Sequence, residues 1–329
     1  MRRPFAHLLL VLVPLAVVLG VAEGLLRHRA KIARDAIRAT FDARELCTEP
    51  SRDRRLIYTY KAGECGANSR GFRDREHTPE KPDSTYRIVL IGDSVAEGRD
   101  VDPDSAFGRV LERSLNAQPG GYRYEIILLA RIGYSTSQEL VLLDTEAFRY
   151  HPDLILWSYC LNDPAHPVYH NANGALGQYY YRPRSYVLDQ FRLGWFRAKQ
   201  SLAGRNCSRE FHAFLHCAFW KDVEANLHRI AGVALEHHVP VMLVVLPIFE
   251  DKPSFDDYAL ADVHARLADA ARHEGIETID VLDAFRPYAP AELKLHSDAY
   301  FDPWHLNAKG HRVTANFILD RLTVTGPGP

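Results

Sequence analysis

The chain has 329 residues, enough to bury a full core in one large domain or two modest ones. Hydrophobic content of 47% and charged content of 25% are ordinary for a soluble globular protein. A net charge of −2 speaks against nucleic acid as a partner, because nucleic-acid binders carry a basic excess.

The first element is not globular. Phe5–Leu26 is interrupted only by His7, Pro14, Glu23 and glycines, and is long enough to cross a hydrocarbon layer of roughly 30 Å. Arg2 and Arg3 precede it, as in a signal anchor or secretory signal peptide, and Gly20-Val21-Ala22 offers a small-residue cleavage site. Arg27, Arg29, Lys31 and Arg34 follow it, so positive charge alone does not orient the segment. The expectation is a single span within residues 1–28 that makes the membrane a partner through residues 5–26. The rest would lie in the periplasm or outside the cell, or be secreted if the segment is cleaved. Five cysteines bear on the same point. Cys47 and Cys65 fall in loops, as do Cys207 and Cys217, while Cys160 ends an apolar run. Two loop disulfides and one buried thiol fit an oxidising compartment, although spacing alone leaves five reduced thiols open.

Residues 27–48 continue as a charged helix, with Ala30, Ile32, Ala33, Ile37 and Phe41 at helical spacing. Residues 49–84 are polar and read as loop, closing on the breaker-rich Thr78–Asp83. Residues 29–84 are therefore expected as a membrane-proximal extension. From there the pattern is regular. Continuous apolar, β-branched runs predict buried strands at Arg87–Ile91, Glu125–Ala130, Leu154–Tyr159, Val241–Leu246 and Glu277–Val281. Helical patterns follow at Ser105–Asn116, Ser137–Phe148, Asp222–His238, Tyr258–Glu274 and Asn307–Leu322. Strands that alternate with helices imply a parallel sheet covered on both faces. The fold class is thus α/β, a three-layer α/β/α sandwich with a five-stranded parallel sheet over residues 85–325. An aromatic-rich insertion at about residues 164–220 breaks the alternation at the sheet edge where open α/β folds bind ligands. Aromatics at this density more often pack than line a pocket. Within the insertion Tyr179, Tyr180 and Tyr181 are the part expected to adapt around an acyl chain or sugar, the alternative being that they pack the insertion onto the sheet. Low-complexity sequence is confined to the Gly326–Pro329 tail.

Four short segments converge on one rim of this sheet. Gly92-Asp93-Ser94 follows the first strand, Gly133 the second, Asn162-Asp163 the third, and Asp302-Pro303-Trp304-His305 comes after the fifth. Acyl transfer needs a nucleophile, a base, an orienting acid and donors for an oxyanion, and each role has a candidate here. Singly, these residues are turn formers or caps. In this order they resemble the SGNH (GDSL-type) hydrolase family, over about residues 85–322.

The resemblance implies a flavodoxin-like fold and a serine esterase. Ser94 matches the nucleophile, His305 the general base and Asp302 the orienting acid. The backbone N–H groups of Ser94 and Gly133 and the side chain of Asn162 match the oxyanion donors. The chain departs from the family pattern at Val95, in place of Leu, and at Cys160, in place of the third block's glycine. Leu128-Leu129-Ala130 replaces the usual Asn of the second block. Asn68-Ser69-Arg70-Gly71-Phe72-Arg73-Asp74 is similar to a leader of membrane-anchored bacterial members. The expected substrate is a small-molecule, lipid or glycan ester, with no cofactor; His166, His170 and His296 carry no pattern of metal ligands. An acyltransferase to a sugar hydroxyl, with the same residues, and a non-catalytic glycan- or lipid-binding module are the alternatives. The oligomeric state is left open.

Overall fold

The uninterrupted β-branched runs form the strands they predict. The computed structural model describes residues 3–170, 174–296 and 301–325, so Arg2 and the Gly326–Pro329 tail lie outside the described residues. Helix α1 (Arg3–Arg38) leads into two short antiparallel strands, β1 (Thr48–Pro50) and β2 (Tyr58–Tyr60). The main sheet comprises β3 (Thr85–Gly92), β4 (Arg123–Ala130), β5 (Leu154–Cys160), β6 (Val241–Leu246) and β7 (Glu277–Asp280). All five are parallel, in the order β4-β3-β5-β6-β7. The order reverses between β3 and β5, and such a switch point opens a crevice at the carboxyl ends of the strands.

Helices α2 (Ser94–Glu97), α3 (Phe107–Asn116) and α4 (Thr136–Thr145) follow β3 and β4. The insertion is helical: α5 (Gly174–Tyr180), α6 (Tyr186–Ala203), α7 (Phe211–Ala218) and the start of α8 (Trp220–His237). The chain closes with α9 (Ala261–His273), the short α10 (Leu282–Phe285) and α11 (Pro290–Leu293), and α12 (Ala308–Thr325). Helix α3 packs on α12 and α4 on α8, giving two helical layers around the sheet, as expected for the α/β/α sandwich. The sheet supplies the core: Ile88–Ile91, Ile155, Leu156 and Trp157 are almost completely enclosed.

Two local expectations differ from what is found. The charged helix expected over 27–48 stops at Arg38. Asp42 and Glu45 then cap each other, with Glu45 N–H donating to Asp42 Oδ1 at 2.8 Å and Asp42 N–H to Glu45 Oε2 at 2.9 Å. That exchange starts a separate single turn at Glu45–Cys47. The stretch 49–84, expected as loop, holds β2, and its Tyr58, Tyr60 and Phe72 belong to the same hydrophobic core as the sheet. Residue 84 marks where the sheet begins, not where the core ends.

Cys47 is bonded to Cys65 and Cys207 to Cys217, and Cys160 is free and buried. The insertion builds a small core of its own from Ala165, Leu215 and Phe219, flanked by Phe196, Phe211 and Phe214. Its three tyrosines are all engaged. Tyr179 meets Phe41 edge-on at 5.0 Å, Tyr180 O–H donates to Thr48 O at 2.6 Å, and Tyr181 O–H donates to Asp189 Oδ1 at 2.7 Å. They fasten the insertion to the extension and to itself, which is a packing role and not the adaptable one expected of them.

Candidate active site

Strand β3 ends in Gly92, where a side chain would not fit. A Cβ there would stand 2.7 Å from Ala96 Cβ and 2.9 Å from Ser158 Cβ, so glycine lets α2 close onto β3 and β5. Asp93 caps the new helix, accepting Val95 N–H at 2.8 Å, and this sharp turn makes Ser94 the first residue of α2. Ser94 thus stands at the carboxyl end of β3, beside the switch point.

His305 and Asp302 arrive on the loop before α12. Pro303 O accepts Phe249 N–H at 2.6 Å, and His305 O accepts Leu295 N–H at 2.9 Å, so the loop is held from both sides. Asp302 Oδ1 accepts the backbone N–H of Trp304 at 2.9 Å and of His305 at 3.1 Å. Its Oδ2 lies 2.7 Å from His305 Nδ1, and His305 Nε2 lies 2.8 Å from Ser94 Oγ. The ring nitrogen that faces a carboxylate must carry the proton, which leaves Nε2 as acceptor for the Ser94 hydroxyl. Ser94 is 7% exposed, His305 7% and Asp302 4%, so this run is shielded yet reachable. Burial alone would raise Asp302. The hydrogen bond and charge of His305, with the two backbone donors, outweigh it and hold the carboxyl below its ordinary value.

Gly133 and Asn162 come just after the two strands that flank β3. Gly133 occupies a left-handed conformation, φ +69°, in the turn after β4. Asn162 follows β5 and lies close enough to the Asp93 carboxyl to help lower it, which places it beside the Ser94 turn. Cys160 points into the interior, and burial pushes its thiol well up. Asp163 accepts Cys160 N–H through Oδ2 at 3.1 Å.

Beneath the serine lie three enclosed carboxyls, Asp93, Glu139 and Asp163. Burial raises each, and mutual repulsion raises Glu139 and Asp163 further; Asp93, helped by Val95 N–H and the charge of His305, is raised only to about 6. This cluster, and Glu139 above all, went unnoticed in the sequence, where Gln138-Glu139 reads as an ordinary helical pair.

A second group went unnoticed because it comes from the extension. Tyr58 O–H donates to Ile132 O at 2.6 Å, Tyr134 O–H returns a bond to Tyr58 O at 2.6 Å, and Gln138 Nε2 donates to Leu56 O at 2.7 Å. Arg131 donates to Gly71 O at 2.9 Å and stacks on Phe72. Glu97, buried on α2, accepts Ile132 N–H at 2.8 Å and Tyr60 O–H at 2.9 Å. The bonds to Arg131, Ile132 and Tyr134 fix the turn that carries Gly133. The visible signal was the Asn68–Asp74 leader, whose Gly71 and Phe72 are two of the contacts. From the other side, Trp304 Nε1 donates to His212 Nε2 at 3.0 Å, joining α7 of the insertion to the His305 loop.

The GDSL-like lipase/acylhydrolase family model matches residues 90–313, from the strand before Ser94 to α12. The chain belongs to this family. It is accordingly an SGNH/GDSL-type serine hydrolase, and the chemistry that membership supports is ester hydrolysis. Among solved structures it is similar to an α/β hydrolase from the metagenome of Lake Arreo, Spain, at 19% identity. The match covers 74% of this chain and 97% of that chain, with a TM-score of 0.47. The acetylxylan esterase Axe2 of Geobacillus stearothermophilus matches at 14% identity, over 73% of this chain and 94% of that chain, with a TM-score of 0.47. The psychrotrophic esterase EstA of Pseudoalteromonas sp. matches at 13% identity, over 73% and 97%, with a TM-score of 0.43. No curated protein matches the chain.

Proposed function

We propose that this GDSL hydrolase is a serine esterase that works through an acyl-enzyme on Ser94, with His305 as general base and Asp302 as orienting acid. The reading is carried by the unbroken run from Asp302 Oδ2 through both ring nitrogens of His305 to Ser94 Oγ, at 2.7 and 2.8 Å. Ser94 Oγ attacks the ester carbonyl carbon while its proton passes to His305 Nε2, and the carbonyl π electrons move onto oxygen. Collapse breaks the bond to the alcohol oxygen, which takes the proton from His305. Water then repeats the sequence on the acyl-enzyme, giving the acid and restoring Ser94. The N–H groups of Ser94 and Gly133 and the Asn162 amide are the proposed oxyanion donors, each worth roughly 3 kcal/mol. The substrate class is an ester of a small or medium acyl group on a small molecule, lipid or glycan.

The proposed organisation is an anchor within residues 1–28, a membrane-proximal extension at 29–84 and a hydrolase domain at 85–325 with its insertion at about 164–220. Helix α1 supports the anchor: Leu10–Arg38 contains a window of mean hydropathy 2.1, none of it buried against the domain. The two disulfides fit a domain outside the cytoplasm. A fluorophosphonate probe tests the chemistry directly. It should label the wild type at Ser94 and leave Ser94→Ala unlabelled; equal labelling of both would sink the assignment.

A further inference from the structure

Helix α6 packs one face on the domain and leaves an apolar face uncovered. Tyr186, Asp189, Phe196 and Gln200 turn inward, where Phe196 meets Phe219 in the core of the insertion. On the other side Leu188, Phe191, Trp195, Ala198 and Leu202 follow one another at spacings of three and four. At 100° per residue they fall in an arc of about 80°, opposite the inward positions. Leu188 is 60% exposed, Phe191 73%, Trp195 77% and Leu202 60%. An apolar stripe of this size on a folded domain marks a surface that meets something apolar.

Its place identifies the occupant. The start of α6 is clamped to α1 where the apolar segment ends. Glu23 accepts Ser185 O–H at 3.0 Å and the backbone N–H of Tyr186 and Val187 at 3.1 and 3.0 Å, capping α6. Arg34 donates to Tyr186 O–H at 2.9 Å, and Arg27 lies over the Tyr186 ring. Before this clamp, Leu10–Val21 of α1 is exposed, with no part of the domain against it. A bilayer that takes up that segment must bring its headgroup layer to Glu23, and so to α6. Arg29 and Lys31 on α1 and Arg192 and Arg197 on α6 are exposed and suit anionic headgroups. A tryptophan at this level is the side chain that interfaces favour.

We infer that α6 is an interfacial helix: Leu188, Phe191, Trp195 and Leu202 enter the headgroup and upper acyl region of the anionic bilayer that α1 crosses. The inference rests on the anchoring proposed above. It has a consequence for the active site, because α6 continues into α7, whose His212 holds Trp304 beside His305. The insertion thereby links the membrane surface to the loop that carries the base.

The test uses the full chain in nanodiscs of phosphatidylcholine and phosphatidylglycerol, with and without brominated acyl chains. Trp157 and Trp220 are buried and Trp304 is half-buried beside His305; all three are common to both proteins, so the wild-type spectrum minus that of Trp195→Phe isolates Trp195. Brominated lipid should quench that difference about twofold, and aqueous iodide should leave it unchanged. Quenching by iodide and not by brominated lipid would overturn the inference. So would shielding from both quenchers together with a cross-linked dimer, which would make a second copy the occupant. Alkaline carbonate extraction separates this failure from that of the anchor. Protein that stays with the membrane while Trp195 is unquenched removes the interfacial helix alone; protein that washes off removes both.

Discussion

Asp302→Asn changes one atom that matters and spares the rest. The Oδ1 that accepts the N–H groups of Trp304 and His305 is kept, so the loop retains both bonds. Oδ2 becomes an NH2 group facing His305 Nδ1 across 2.7 Å. A donor there makes Nδ1 the acceptor and moves the ring proton to Nε2. That proton then points at Ser94 Oγ, 2.8 Å away, and His305 no longer takes the serine proton. In a serine protease the same change costs about 10⁴-fold in kcat. At 1.36 kcal/mol per tenfold, this is about 5.5 kcal/mol of transition-state stabilisation. KM should hardly move, since the ground-state ester gains nothing from the tautomer. His305→Ala removes the base altogether and should cost more, about 10⁶-fold by the same analogy. The assay is steady-state hydrolysis of p-nitrophenyl acetate with a thermal melt on each variant. A loss below about tenfold for Asp302→Asn, or a loss greater than that of His305→Ala, would refute the tautomer argument.

Asn162→Ala should lower kcat by roughly 10²-fold with KM nearly unchanged, as expected for a donor used only in the transition state; a change in KM alone would make Asn162 a binding residue. Glu139→Gln tests the buried carboxyls by their pH dependence. Because the folded protein raises Glu139, it keeps a proton that the unfolded chain releases, so wild-type stability falls as pH rises above the ordinary carboxyl range. The glutamine variant lacks that slope and should gain thermal stability over the wild type by about 1.4 kcal/mol for each pH unit of retained proton, with equal melting near pH 4. Parallel melting curves from pH 4 to 9 would mean that Glu139 is ionised in the fold. Tyr58→Phe removes the O–H that holds Ile132 O and should reduce stability by about 1 kcal/mol. It should also reduce kcat; full activity with only the stability loss would make Tyr58 a packing residue.

What was legible in the sequence follows from how many residues share a signal. Val241–Leu246 and Leu154–Tyr159 are continuous apolar runs, since strands covered on both faces need no polar alternation, and they were placed to within a residue. That Ser94, His305 and Asp302 would meet was legible because their short motifs stand at strand ends and loops in an order that a parallel sheet brings together. Strand β2 is three residues long, and only Tyr58 and Tyr60 face inward, too brief a pattern to separate from loop. The separate turn that follows α1 was written in Asp42-Ala43-Arg44-Glu45, a reciprocal cap that a helical periodicity masks. The tyrosines of the insertion could be read two ways for a different reason. Aromatic density looks the same whether rings line a pocket or fill a seam, and only the partners Phe41, Thr48 and Asp189 distinguish the two.

The unread parts share a physical role. An oxyanion donor must already be in place when charge develops, because reorganising it during the reaction would return the gain. A glycine turn has the least intrinsic rigidity of any backbone, so Gly133 is only as well placed as its neighbours hold it. Those neighbours are Ile132, fixed by Tyr58 on one side and Glu97 on the other, and Tyr134, fixed by Arg131 and the Tyr58 carbonyl. Tyr58, Tyr60, Gly71 and Phe72 all precede the sheet in the chain. The segment that composition marks as a polar extension is therefore the rigid support of the turn beside Ser94, the proposed nucleophile. Its attachment to α1 and to the insertion through Phe41, Tyr179 and Tyr180 joins that support to the N-terminal helix.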